Sequence, residues 1–418
     1  MAASNQDAAS FAIMAVPFGL STTLAYSLTD GQSVTVLYGW IFVSCISLAI
    51  AASLAEICSV YPTAGGVYYW SAMLSTRKYA PVVSWITGWL TLVGNWTVTL
   101  SINFSGAQLI LSSISIFNED FVANAWQTVL CFWAVMAIAF SVNVFGAKYL
   151  DLINKICIYW TSASVIIIIV TLLVMANNRR DAEFVFAHFD ASASGWPSGW
   201  AWFVGLLQAA YTLTGYGMVA AMCEEVQNPE REVPKAMVLS VFAAGVTGIL
   251  YLVPLLFVLP DVTSVLGQLN GQPIGYIFKT VTGSAAGGFG LLFLILGILS
   301  SLAVKHASFS LGRFGFAINA VTVVVMDYSR HHPFCMPTAI PVTPSTMNYA
   351  SVVFVFFASI SLLWYVIRGR KEFSGPPVVS AEEAEHNGEV VGGVGRVVTE
   401  DGSGQVSYGS DAEKASRK

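Results

Sequence analysis

Charge is what this chain has least of. Of 418 residues only 10% are charged, while 56% are hydrophobic. A soluble domain carries about a quarter charged residues, so a soluble globular reading is excluded. The start, Met1 to Ser10, lacks the basic region that opens a secretory signal peptide. The six cysteines (Cys45, Cys58, Cys131, Cys157, Cys223, Cys335) show no paired spacing, which argues against a disulfide framework and against zinc. All five histidines (His188, His306, His331, His332, His386) fall in loops or in the tail. No Ser-His-Asp set and no carboxylate pair falls at membrane depth, and an embedded hydrolase or acyltransferase needs such groups close together. An enzyme is therefore not expected, and neither a cofactor nor a nucleic-acid partner is implied. The formal net charge of −5 comes largely from the C-terminal tail.

What the chain does have is apolar length. A hydrocarbon core roughly 30 Å thick needs about 20 mostly apolar residues to cross it as a helix. Candidate spans are 9–29, 34–58, 80–112, 123–143, 152–176, 198–223, 236–260, 284–304, 311–326 and 347–367. The fold class is thus all-α, a polytopic membrane helix bundle. It divides into a short N-terminal segment 1–8, a membrane domain 9–367 and a tail 372–418. The tail alternates Gly, Glu, Ser and Val without a helical period (Glu382-Glu383, Gly392-Gly393) and reads as disordered. Asn95-Trp-Thr97 and Asn103-Phe-Ser105 match the glycosylation pattern but lie inside a span, where they are chance matches.

Lys and Arg accumulate on the cytoplasmic side. One set of alternate loops holds Arg77, Lys78, Lys148, Lys155, Arg231, Lys235, Lys305, Arg313, Arg368, Arg370 and Lys371; the other holds Arg179, Arg180, Lys279 and Arg330. The richer set places both termini in the cytoplasm.

Two spans carry broken backbone. The first contains Val16-Pro17-Phe18-Gly19-Leu20-Ser21, where Pro17 lacks an N–H and Gly19 adds freedom. The sixth contains Tyr211-Thr212-Leu213-Thr214-Gly215-Tyr216-Gly217. Freed backbone groups at membrane depth must be satisfied by protein, water or ligand. Paired breaks five spans apart point to the binding site of a transporter built from a five-span repeat. The competing reading is close packing, for which glycine is common in membrane helices. No ionisable side chain lies deep in any run: Glu56, Lys155 and Glu224 are all near cytoplasmic ends. A substrate would then be held by backbone dipoles, hydroxyls and aromatic faces, with Tyr211, Tyr216 and Trp96 able to face a cation.

The stretch Glu56-Ile-Cys-Ser-Val-Tyr-Pro62-Thr-Ala-Gly65-Gly66-Val-Tyr68 resembles the join of the second and third segments in amino acid–polyamine–organocation permeases. Gly215-Tyr216-Gly217 followed by Glu224-Glu225-Val-Gln-Asn228-Pro229-Glu-Arg231-Glu-Val-Pro234-Lys235 resembles the end of their sixth helix and the loop after it. The whole chain is most similar to the fungal permeases for amino acids, GABA and choline.

The resemblance implies an inverted repeat of five plus five helices with two more at the end. It implies alternating access for a small amine or amino acid, in the plasma or vacuolar membrane. On matching positions, Val16, Pro17, Phe18, Gly19, Leu20 and Ser21 with Tyr211, Thr212, Thr214, Gly215 and Tyr216 would line the substrate site. Tyr216 would stand as an aromatic gate, and Glu56 and Glu224 would lie at the cytoplasmic gate. The expected partners are a small-molecule substrate and the lipid bilayer. A coupling proton is left open, because the fifth run reads Thr161-Ser162 where some members carry a lysine.

Two departures matter. Gly217 stands where many bacterial members carry an acidic residue. The eighth run ends in Lys305-His306, and the next, Phe314 to Met326, is too short for an easy span before Asp327-Tyr-Ser-Arg330-His331-His332-Pro333. The late eighth, ninth and tenth helices of the family are expected to be absent, so the second repeat is incomplete. The alternative function is then a transport-inactive truncated permease or a receptor-like membrane protein.

Overall fold

A computed structural model of the chain describes residues 15–76, 78–146, 149–226, 228–268, 272–305, 340–341 and 350–376. The segment 1–8, the candidate span 311–326 and the tail beyond residue 376 lie outside the described residues. Within them the chain is helical, with no strand.

The first span is two short helices, α1 (Val16–Thr22) and α2 (Leu24–Thr29). After a turn at Asp30 and Gly31 comes α3 (Gln32–Val60), which stops ahead of Pro62. A short helix, α4 (Gly66–Met73), leads to the long α5 (Ala80–Phe117). Next is α6 (Ala125–Phe145), opened by a capping box in which Gln127 Oε1 accepts from the Asn124 N–H at 2.8 Å. Then come α7 (Leu150–Met175) and a small helix, α8 (Ala182–Ala187).

The sixth span is α9 (Ser198–Gly205), α10 (Leu207–Thr212) and a 3-10 helix, Tyr216–Glu225. It is followed by α11 (Pro229–Phe257), whose Pro229 occupies the first turn, where a missing N–H costs nothing. Two short helices, α12 (Val262–Leu266) and α13 (Ile274–Thr282), precede α14 (Ala285–Lys305). The last described span is α15 (Ala350–Trp364), closed by a π turn, Tyr365–Gly369, and by α16 (Arg370–Glu372).

Six helices among the described residues are long and apolar enough to cross a membrane: Gln32–Val60, Ala80–Phe117, Ala125–Phe145, Lys155–Met175, Pro229–Phe257 and Val353–Glu372. Their burial shows which faces meet protein. α3 and α11 bury a stripe against each other, including Trp40, Ala51, Val241, Ala244 and Gly248. By contrast α6 buries only Phe132, and Trp133, Ile138, Phe140 and Val144 point outward. An outward apolar face of this kind is expected where the solvent is lipid.

Spans five apart in sequence pack on one another. The first (α1, α2) lies on the sixth (α9, α10), the second (α3) on the seventh (α11), and the third (α5) on the eighth (α14). An odd offset makes the members of each pair cross in opposite directions, as an inverted repeat requires.

Two tryptophans key helices together in the same way. Trp40 of α3 lies against Gly248 of α11, and its indole N–H donates to Gly245 O at 2.9 Å. Trp160 of α7 lies against Gly297 of α14 and donates to Leu294 O at 2.9 Å. In each case the carbonyl belongs to the residue three before the glycine.

Candidate functional site

The first span enters the bundle interior through Ala15, a left-handed residue with φ 39°. Pro17 falls in the first turn of α1, where it starts the helix rather than breaking it. The interruption lies six residues later, at Thr23. There the Thr23 N–H still donates to Gly19 O at 3.2 Å, and two hydroxyls add to the carbonyls of this turn: Thr23 Oγ1 donates to Gly19 O at 2.7 Å, and Thr22 Oγ1 to Phe18 O at 3.0 Å. The expected weak point at Pro17–Gly19 is therefore a regular helical turn in the structure.

Val16, Pro17, Phe18, Gly19, Leu20 and Ser21 are all buried, and each polar handle on α1 has a partner. Gln208 of α10 donates from Nε2 to Leu20 O at 2.9 Å. Ser21 Oγ shares a 2.7 Å hydrogen bond with Tyr251 OH of α11. Gly19 is where α1 and α10 touch: a Cβ placed on it would stand 2.7 Å from Thr212 Oγ1. This crossing needs glycine for close approach, whatever else it does.

In the sixth span Thr212 is buried, with its hydroxyl on Gln208 O at 2.9 Å. Tyr211 receives a hydrogen bond from Ser101 of α5 at 2.9 Å. After Thr212 the helix ends. Leu213, Thr214 and Gly215 form a turn, with Gly215 at φ 101°, in the left-handed region that L residues avoid. Thr214 is exposed, Tyr216 is half-buried, and a Cβ on Gly217 would meet open space. The structure brings Gly19, Ser21 and Thr212 together in one contact region, with Tyr211 anchored on α5 beside it. Thr214 and Gly215 belong to the turn after Thr212, and Tyr216 opens the 3-10 helix, packed against the core.

Glu56 and Glu224 are both exposed. The neighbours that meet are Cys58 of α3 and Cys223 of the 3-10 helix, free thiols whose Sγ atoms are 3.9 Å apart in a buried contact. Sequence spacing could not reveal this pair, since 165 positions separate them. Gln208 left a readable trace, as a lone amide within an apolar run. Tyr251 left none.

These features define an α-helical multi-pass membrane bundle whose interrupted first and sixth spans cross in its interior. The chain belongs to the amino acid permease family, whose model matches residues 5–323. It is similar to a polyamine transporter of Saccharomyces cerevisiae, 35% identical over 292 residues that cover 69% of this chain and 47% of that protein. It is also similar to a choline transporter of Saccharomyces cerevisiae, 26% identical over 461 residues covering 88% of this chain and 81% of that protein. Among solved structures it is similar to Mhp1, a nucleobase-cation-symport-1 family transporter, at 14% identity and a TM-score of 0.46, covering 86% of this chain and 72% of that one. The chain spans about half to three fifths of the length of the curated relatives that it matches above 30% identity.

The two alignments differ in one respect. The one with the choline transporter runs over 461 residues but draws on 88% of the 418 here, so about ninety residues of that protein face none in this chain. The one with the polyamine transporter, 292 residues on 69% of the chain, needs almost no such gap.

Proposed function

We propose that the chain is a secondary transporter that moves a small amine or amino acid (an amino acid, GABA or choline) across a fungal plasma or vacuolar membrane by alternating access. The observation that supports it most is the crossing of the two interrupted spans at Gly19 and Thr212, roofed by Ser21, Tyr251, Gln208 and Tyr211. The residues proposed to line the site offer hydroxyls, backbone and two tyrosine rings, and no ionised side chain. A quaternary or primary amine suits the rings through cation–π attraction. Both termini face the cytoplasm on this reading, from the Lys/Arg asymmetry of the loops. Uptake of labelled choline, GABA and amino acids into cells that express the chain, each competed by the others, tests the substrate class. Uptake equal to that of empty cells for every compound would overturn it.

A second reading is favoured by the roughly ninety residues of the choline transporter that have no counterpart here. If they include the ninth and tenth helices, the second repeat lacks its last members and the rocking of one bundle against another that alternating access needs fails. The chain would then insert without transporting. Uptake by this chain beside a version with the segment restored separates the two readings, and equal uptake excludes the second.

A further inference from the structure

Among the described residues Asp30 is the only charged-type side chain that is fully buried, with 0% exposure, and neither of its carboxyl oxygens has a hydrogen-bond partner. It lies in the turn from α2 to α3, at the end of the bundle opposite Glu56 and Glu224. Its backbone is already committed. The N–H donates to Tyr26 O at 3.1 Å, and the carbonyl accepts from Thr35 Oγ1 at 3.1 Å. The surroundings are close. A Cβ on Gly205 of α9 would stand 3.1 Å from the Asp30 Cβ, Gly31 lies against the Phe189 ring, and Ser27 Oγ donates to Gly205 O at 2.6 Å. The Ser194 hydroxyl stands near the carboxyl group but gives its proton to Ala191 O at 2.9 Å.

Among the described residues, the elements around Asp30 supply no compensating cation. α2 carries Tyr26, α3 carries Tyr38 with Cys45, Glu56 and Cys58 further along it, and α10 carries Tyr211, while α9 and α12 carry no titratable group. In the 188–197 segment, His188 stacks on Phe184 with ring centroids 5.0 Å apart, and Asp190 is held by Gln32 Nε2 at 3.1 Å and the Ser192 N–H at 2.9 Å. Asp261, ahead of α12, caps that helix through the Ser264 N–H. Arg180, at the same end, is spent on Leu259 O at 3.0 Å and Pro260 O at 2.9 Å. A buried carboxylate without a partner takes a proton rather than keep its charge. Burial pushes the Asp30 carboxyl up to about 7, with Ser194 opposing the rise. A proton is the smallest ligand that neutralises such a group.

We propose that Asp30 is a proton-binding site: it is a neutral acid while the α2–α3 turn is closed against α9 and the 188–197 segment, and it releases its proton when that end opens to water. The sign follows from the two states. Open, the group has the ordinary value of about 3.9; closed, its value is raised. Below about pH 4 both states hold the proton and closure is insensitive to pH. From there upward closure must take up a proton, so it becomes about tenfold less favoured per unit until the closed-state value is reached, and then levels off. Acid seals this end and neutral medium releases it. Any use of this proton to drive substrate rests on the transporter reading above; the protonation does not.

The test uses the full chain, purified into lipid nanodiscs. Infrared titration should show the C=O band of a neutral carboxylic acid, lost with a midpoint near pH 7, absent in Asp30→Asn and recovered in Asp30→Glu. Hydrogen exchange of the segment 24–40 should match between wild type and Asp30→Asn at about pH 3, where both states hold the proton. At pH 8 the wild type should exchange at least tenfold faster. A midpoint near 4, an unchanged band in Asp30→Asn, or equal exchange at both pH values would overturn the proposal. Intact titration in a protein that takes up no compound would sink the transporter reading alone.

Discussion

The first and sixth spans are both interrupted near the middle of the bundle, but the interruptions have different physics. In the first, one residue leaves the helix, and two threonine hydroxyls return to the carbonyls of Phe18 and Gly19. The backbone is bent but satisfied. In the sixth, three residues turn through a left-handed Gly215, and the chain continues as ten residues of 3-10 helix. Runs of 3-10 helix beyond three or four residues are uncommon and often mark a hinge or strain. The first span behaves as a fixed wall. The sixth is a wall as far as Thr212 and a compliant segment beyond it.

Substitutions can break this contrast. The largest effect is expected from Gly19→Leu, since even a methyl group there meets Thr212. Overpacking at this crossing should cost about 3 kcal/mol, seen as an earlier thermal unfolding in detergent, and should abolish uptake. Thr212→Gly in the same chain should restore part of both, and no rescue would mean that the crossing is not the cause. Next is Ser21→Ala, which leaves the buried Tyr251 hydroxyl without its partner and should cost about 2 kcal/mol. Adding Tyr251→Phe should return most of that loss, and a further loss would contradict the pairing.

A smaller effect is expected at the compliant segment. Gly215→Ala forces a Cβ into left-handed backbone at about 1 kcal/mol, with Gly215→Asn milder. If uptake falls much further than stability, the turn is moving during transport. Least perturbing is brief oxidation of isolated membranes. It should join Cys58 to Cys223 with little change in unfolding, detected as a linked peptide by mass spectrometry. Failure to cross-link would show that the 3-10 helix does not rest against α3.

The spans were legible because lipid imposes a length and a composition that no tertiary contact overrides. Runs read at 34–58 and 80–112 fall within Gln32–Val60 and Ala80–Phe117, while those at 123–143, 152–176 and 236–260 overlap Ala125–Phe145, Leu150–Met175 and Pro229–Phe257 with their ends displaced by a few residues. The short helices α8, α12 and α13 were not legible, since helices of 5 to 9 residues carry little periodicity. The first interruption was placed by its proline and glycine, but a proline in the first turn is harmless, and it is the local Thr22 and Thr23 bonds that shape the bend. Glu56 and Glu224 drew attention as charges beside apolar runs, yet the buried contact at that end is made by the quiet neighbours Cys58 and Cys223. Asp30 reads as an ordinary turn residue ahead of glycine. Its isolation comes from Gly205, Phe189 and Ser194, which arrive from far along the chain, and no local pattern announces them.

The two indole keys set a rule about how the bundle can come apart. A ring lodged against a glycine and tethered to the carbonyl three residues earlier fixes both the depth and the register of the helix pair. Sliding α3 along α11 by one turn, about 5.4 Å, would drive Trp40 into a neighbouring side chain and strip its N–H of a partner. The same holds for Trp160 between α7 and α14. Each pair therefore travels as one piece, like boards joined by a dowel. If the bundle opens by the alternating access proposed above, its seam runs neither between α3 and α11 nor between α7 and α14, but through the contacts that separate these two doubled helices.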